Sequence, residues 1–137
     1  MNRGIERIFY TDDDVDDHLI FSLALKQIRP AVILHSFYNC DEIIAHLKDD
    51  NKPLPDIIFL DQNMPGNSGN ECLAEIKKMA RANHIPVVIY TTGGSPKLVS
   101  NAIQLGAYRY ILKSVSDHEI RQVLVDILAD CDNLQVK

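Results

Sequence analysis

Basic residues are in the minority. Against 19 Asp and Glu stand 14 Lys and Arg, a formal net charge of -5 over 137 residues. That deficit argues against direct binding of nucleic acid, because phosphate backbones attract basic surfaces. No apolar run approaches the roughly 20 residues of a membrane span. The opening stretch "MNRGIERIFY" lacks the apolar core of a secretion signal, so a cytoplasmic location is expected. Cys40, Cys72 and Cys131 are an odd number without metal-ligand spacing, and are expected to be reduced thiols within helices. His18, His35, His46, His84 and His118 are scattered and match no HExxH pattern, which leaves them surface or partly packed positions. There is no internal repeat, low-complexity tract or linker. The length suits one domain, and 46% apolar content is enough to bury a core.

Short apolar runs alternate with segments of helical period. The runs are Ile5 to Tyr10, Ala31 to Phe37, Ile57 to Leu60, Val87 to Tyr90 and Tyr108 to Leu112. Their length and branched or aromatic content predict strands buried on both faces. The last helix is clearest, with Ile120, Val123, Leu124, Ile127, Leu128 and Cys131 at helical spacing after the capping box "SDHE". "NCDE" caps the second helix, and Ser95-Pro96 offers an N-cap followed by proline for the fourth. The remaining helices are expected over Asp16 to Ile28 and Gly69 to Arg81. Such alternation predicts a parallel sheet covered by helices on both faces, since parallel strands need crossovers.

The polar residues fall at strand ends. The first strand runs into Asp12, Asp13 and Asp14, the third ends in Asp61, the fourth in Thr91 and the fifth in Lys113. In a parallel sheet these share the carboxyl edge, where open α/β sheets bind ligands. Five of the six residues from Asp12 to Asp17 are aspartates. Like charges about 4 Å apart cost roughly 4 kcal/mol per pair at an effective dielectric near 20. A hard divalent cation such as Mg²⁺ relieves that cost and takes oxygen ligands. Asp61 is then placed to attack phosphorus, with Lys113 and Thr91 meeting the phosphoryl oxygens. Asp16 and Asp17 suit the start of the first helix, where negative charge favours the dipole and caps free N–H groups; Asp14 has no assigned part. Read as a calcium loop, the aspartate run fails at Asp17, where glycine is needed, and at Leu23, where glutamate is needed.

These features together resemble the receiver domain of two-component response regulators, above all the single-domain chemotaxis kind. The resemblance rests on "FYTDDD", "IIFLDQNMPG", "PVVIYTT" and "GAYRYILK", in that order, and covers about Glu6 to Leu128. It implies one receiver domain over 1–137, a doubly wound (βα)5 flavodoxin-like three-layer sandwich with strand order 2-1-3-4-5, and a short C-terminal helical extension. It implies Asp61 as phosphoacceptor and Mg²⁺ on Asp13 and Asp61, on Asp12 mainly through water, and on the backbone carbonyl of Asn63. It further implies Lys113 on a phosphoryl oxygen, and Thr91 and Tyr110 as a switch pair. Tyr108 competes with Tyr110, because strand alternation would put both on one face. The partner implied is a histidine kinase or histidine phosphotransfer protein. The output face would be the fourth helix, fifth strand and fifth helix, including Lys97, Arg109 and Arg121, which also suits a weak dimer. With only a short tail expected after Leu128, output would pass through protein contacts, or the chain would be a relay or phosphate sink. The chain would be a signalling module rather than an enzyme.

Four positions depart from the family pattern. Ser114 follows Lys113 where proline is usual, so a cis bond there is insecure and the loop is expected to differ. Thr92 replaces a smaller residue beside Thr91, and Gly93-Gly94 loosens the loop after it. Three alternatives stand beside the switch. A Mg²⁺-dependent phosphohydrolase would need an acid where Asn63 stands. A flavin or nucleotide binder would need glycines where aspartates stand. A phosphorylation-independent interaction module would leave Asp61, Thr91 and Lys113 without a task.

Overall fold

The computed structural model describes residues 4–114 and 116–134. Strands and helices alternate along them: β1 (Arg7–Thr11), α1 (Val15–Ile28), β2 (Ile33–Phe37), α2 (Cys40–Lys48), β3 (Ile57–Leu60), α3 (Gly69–Lys77), β4 (Val87–Thr91), α4 (Pro96–Gln104), β5 (Arg109–Leu112) and α5 (Asp117–Leu134). Every strand pairing is parallel and the order is β2-β1-β3-β4-β5. This is the doubly wound flavodoxin-like α/β arrangement, with its order reversing between β1 and β3. No helix among the described residues is long and apolar enough to cross a membrane.

Strand alternation divides the core in two. Ile8, Tyr10, Ile57, Phe59, Val88 and Tyr90 face a cluster completed by Phe21 and Leu25 of α1 and Ile120, Leu124 and Leu128 of α5. Phe9, Ile58, Leu60, Val87 and Ile89 face the other side, against Ile43 and Leu47 of α2, Leu73 and Ile76 of α3 and Ala102 of α4. The expectation that all strands are buried on both faces holds for β3 and β4 and nearly for β1, but not for β2 and β5. Those two are edge strands, and Ile33 and Leu112 are left about half-exposed.

Local chemistry sets the helix ends. Asp14 caps α1 by accepting from the Asp16 N–H at 2.8 Å, so the helix opens at Val15. Asn39 caps α2, but the Glu42 carboxylate accepts from Tyr38 instead of closing the box on Asn39. Ser95 and Pro96 open α4 as expected. Before α5, Ser116 accepts from the Glu119 N–H, while the Glu119 carboxylate takes the Ser114 hydroxyl. α3 stops at Lys77, four residues before the expected Arg81. Arg81 instead reaches the carbonyls of Leu47 in the last turn of α2 and of Asp49 and Lys52 just beyond it, a favourable place for a cation. α5 continues past Leu128 to Leu134, and its Asp132 accepts from the Ile5 N–H and pairs with Arg29 at 2.6 Å. The tail residues Gln135, Val136 and Lys137, and the first three residues of the opening stretch, lie outside the described residues.

The cysteines correct the sequence reading. Cys40 and Cys72 form a disulfide, their Cα atoms 5.7 Å apart, which joins α2 to α3. Both side chains point into the same buried cluster, a juxtaposition that their separation of 32 residues does not reveal. Cys131 is free and buried, and burial pushes its thiol up to about 11.

Candidate functional site

The ladders continue one residue beyond the strands, and this builds the site. The Asp12 N–H donates to the Phe37 carbonyl, the Asp61 N–H to that of Thr11 and the Lys113 N–H to that of Thr91. Asp12 and Asp61 therefore sit side by side at the carboxyl ends of β1 and β3, where the strand order reverses. Asp12 is fully buried and shares the face of Tyr10, whose hydroxyl donates to Asp12 Oδ2 at 2.9 Å. Asp13 is exposed at the rim. Oxygens of Asp12, Asp13 and Asp61 lie within 4.8 Å of one another.

Lys113 enters from the other side. Its Nζ is 2.6 Å from Asp12 Oδ2, 2.8 Å from Asp17 Oδ2 and 3.6 Å from Asp61 Oδ2. Burial disfavours its charge, but the hydrogen bonds to Asp12 and Asp17 outweigh that and hold the ammonium above the ordinary lysine range. Asp17 thus differs from the expected helix-start role. It lies in the first turn of α1, yet its carboxylate turns to Lys113, while capping falls to Asp14. The Lys113–Ser114 bond is trans, as no peptide bond among the described residues is cis, and the side chain still reaches the site.

The charges do not balance. Lys113 is one ammonium against four carboxylates: Asp12, Asp17 and Asp61 lie 3.6 Å or less from it, and Asp13 joins them through the acid cluster. Burial raises the Asp61 carboxyl above its usual range and the Asp12 charge adds to this. Lys113 and the Asn63 backbone work the other way, as does the Thr91 hydroxyl, which lies beside it without meeting hydrogen-bond geometry. Asp61 Oδ1 and Thr91 Oγ1 are both buried and unpartnered. An orphaned carboxylate oxygen within an oxygen-only cluster of excess negative charge fits a hard divalent cation.

The loops around the acid cluster are held in place. A Cβ on Gly69 would stand 2.6 Å from the Asp61 carbonyl oxygen, so α3 begins against the backbone of Asp61. Buried Gln62 and Asn70 exchange two hydrogen bonds of 2.9 and 2.8 Å, and the Asn70 amide also donates to the Leu98 carbonyl of α4. Asn63 and Thr92 are exposed at the mouth. The Tyr110 hydroxyl donates to the Gly93 carbonyl, and its ring occupies the space that a Cβ on Gly94 would take. Tyr108 does not share that face, contrary to the alternation argument: it precedes β5 and packs into the α1–α5 cluster, with Arg109 4.2 Å over its ring.

Sequence reasoning missed Tyr10, Asp17, Gln62 and Asn70. Tyr10 was findable, since period two puts it on the face of Asp12. For the others the signal is tertiary.

Comparisons with known proteins agree with this geometry. The response regulator receiver domain model matches residues 8–125. The crystal structure of the Mn²⁺-bound form of response regulator Rcp1 is 27% identical, with a TM-score of 0.82, over 90% of this chain and 94% of that one. The phosphorylated cyanobacterial phytochrome response regulator RcpA is 28% identical, with a TM-score of 0.81, over 90% and 91%. Transcriptional regulatory protein YdfI of Bacillus subtilis is 32% identical over 77% of this chain and 49% of its own length. Two-component response regulator ORR1 of rice is 24% identical over 88% and 54%. The chain spans about half the length of these last two relatives. The matched residues take in all five strands but for Arg7, and the first half of α5, along with the acid cluster and Lys113, and the chain belongs to the response regulator receiver domain family.

Proposed function

We propose that this chain is a single receiver domain that accepts a phosphoryl group on Asp61 in a two-component or phosphorelay pathway. The donor is the phosphohistidine of a histidine kinase or phosphotransfer protein. An Asp61 oxygen attacks phosphorus, the P–N bond breaks, and the imidazole leaves with the electron pair and takes a proton from solvent. Lys113 pairs with charge on the phosphoryl oxygens, and the Thr91 hydroxyl, unpartnered in this structure, becomes their donor. The carboxylates of Asp13 and Asp61, Asp12 through water, and the Asn63 backbone carbonyl would hold Mg²⁺, which supplies neutralising charge to the phosphoryl oxygens when bound. The protein supports its own phosphorylation and dephosphorylation without being a conventional enzyme.

Phosphorylation then biases a two-state element. Thr91 moves toward the phosphoryl group, Tyr110 follows, and the α4–β5–α5 face changes its contacts with a downstream protein or a second copy. Surface character supports protein partners. Val15, Leu19 and Leu23 recur every fourth residue along α1 and are all more than half exposed, beside the acid cluster. Such a stripe suits a helix of the phosphodonor. The setting is cytoplasmic, and nucleic acid is not contacted directly.

The observation that carries the proposal is the meeting of Asp12, Asp13, Asp61 and Lys113 at one strand edge. The test is incubation with Mg²⁺ and beryllofluoride or a phosphorylated kinase, beside Asp61→Asn. Mg²⁺-dependent modification or complex formation absent from the variant supports the switch. Turnover of unrelated phosphate esters, or modification that survives in the variant, overturns it.

A further inference from the structure

Asp17 is the third residue of α1, counted from its cap Asp14. An acid at that position ordinarily turns back to accept the N–H of the cap residue. Here the Asp14 N–H is already taken by Asp12 Oδ1 at 3.0 Å, and the Asp14 carboxylate serves the Asp16 N–H. The cap N–H and the Asp16 N–H are thus satisfied without Asp17, whose carboxylate is instead 2.8 Å from Lys113 Nζ with its side chain 28% exposed.

Three carboxylates thus converge on one ammonium, and they are not equivalent. Asp12 and Asp61 also belong to the cluster whose oxygens approach within 4.8 Å, and Asp17 does not. A dication gathered by that cluster competes with Lys113 for Asp12 and Asp61, because both draw on the same oxygens. Asp17 alone keeps its full charge for the ammonium. We propose that Asp17 is a positioning residue, the carboxylate that holds Lys113 over Asp61 once the acid cluster is loaded with a divalent ion. Without the ion, Asp12 suffices. The inference rests on the reading of Asp61 as phosphoacceptor.

The test follows Lys113 directly. Lys113 acylation by an amine-reactive reagent is measured by mass spectrometry, with and without Mg²⁺, in the intact chain and in Asp17→Asn and Asp17→Glu. Asp61 modification by acetyl phosphate is followed in parallel, and circular dichroism checks that each variant is folded. In Asp17→Asn, Lys113 is expected to label about tenfold faster with Mg²⁺, where a lost charge-assisted hydrogen bond no longer sequesters it. Little change is expected without Mg²⁺. Asp61 modification should slow by about the same factor, and Asp17→Glu should recover most of both effects. Equal labelling of Asp17→Asn and the parent with Mg²⁺ overturns the proposal. So does a loss of protection that is the same with and without the ion, which would make Asp17 a general support of the fold. If acetyl phosphate fails to modify the parent protein, the reading of Asp61 falls, while the labelling comparison still decides the place of Asp17.

Discussion

Tyr110 and Gly93 are joined by a hydrogen bond of 3.0 Å from the phenol to the backbone carbonyl, and the ring lies where the next residue, Gly94, has no side chain. The two glycines therefore do different things. A Cβ on Gly93 meets nothing within 4 Å, whereas one on Gly94 would overlap the Tyr110 hydroxyl. Gly94→Ala is expected to turn the ring out of its place, at a cost of about 1 kcal/mol for overpacking at a movable side chain. Gly93→Ala should fall within about 0.5 kcal/mol of the parent. Ring chemical shifts of Tyr110 and urea unfolding check both; an unmoved ring in Gly94→Ala contradicts the packing argument.

Behind the acceptor loop, Gln62 and Asn70 satisfy each other in a dry setting, 3% and 8% exposed. Asn70→Ala leaves the Gln62 Nε2 without its acceptor and removes the side-chain donor to the Leu98 carbonyl, while the backbone N–H of residue 70 still donates to Gln62 Oε1. The expected loss is about 1–3 kcal/mol, the penalty of a buried polar group left unpaired. Denaturant midpoints measure it, and an unchanged midpoint would show that the pair contributes nothing.

The Cys40–Cys72 bridge closes a loop across a separation of 32 residues. Closing a loop of that size removes unfolded-state freedom worth about 2–4 kcal/mol. Dithiothreitol, or Cys72→Ser, is expected to lower unfolding stability by that amount. Peptide mapping under non-reducing conditions should recover the linked fragments, and their absence from air-oxidised protein would contradict the bridge.

Two histidines and one aspartate weaken the fold as pH falls, against the opposite contribution of the raised Asp61 carboxyl. His46 packs between Phe9 and Phe37, with His35 5.5 Å away, and its Nε2 is buried without a partner. Burial lowers both histidines below their ordinary value. Arg7 adds to this for His35, and Lys52, His35 and Arg7 for His46, against a small opposing pull from Asp49. Folding with depressed values disfavours the protonated rings. Their contribution is whole above about pH 6.5 and is lost as pH falls below it. Asp132 acts in a lower window: despite its burial, Arg29 and the Ile5 N–H hold it below the usual carboxylate value, so its contribution fades only below about pH 4. Unfolding midpoints from about pH 8 to about pH 3 should step down twice, and His46→Phe should shrink the upper step alone. A single step confined to the lower window would refute the histidine assignment.

The strand edge was legible because it follows from period and direction alone. Apolar runs bounded by helices must be parallel, and parallel strands bring Asp12, Asp61, Thr91 and Lys113 to one side whatever the packing details. The exposure of β2 was not legible, since "AVILHSF" is as apolar as a central strand and strand order is needed to place it outside. Nor was the partner of Asp17, because it lies 96 residues away and depends on how the chain leaves β5. The same holds for Cys40 and Cys72, which meet only because α2 and α3 pack side by side on one face. Local rules did well where both partners are local, as with Ser95-Pro96. They failed where a near neighbour had already taken the role, as Asp14 took the cap from Asp17.

The acid cluster trades stability for binding, and Asp61→Asn exposes the trade. In the metal-free protein the Asp61 carboxylate is buried beside Asp12, and both effects disfavour its charge against the partial relief from Lys113. A carboxylate disfavoured on folding destabilises the native state once it ionises, so the neutral amide should raise the urea midpoint at neutral pH. Mg²⁺ should reverse the ranking. At tenfold above its dissociation constant a ligand specific for the folded state adds about 1.4 kcal/mol. The parent should gain that amount, whereas the variant, with one charged oxygen donor removed, should gain less. Unfolding curves of both proteins with and without Mg²⁺ give the four values needed. A metal-free Asp61→Asn protein less stable than its parent would mean that the carboxylate is comfortable where it stands, and the cluster would then have no electrostatic call on a cation.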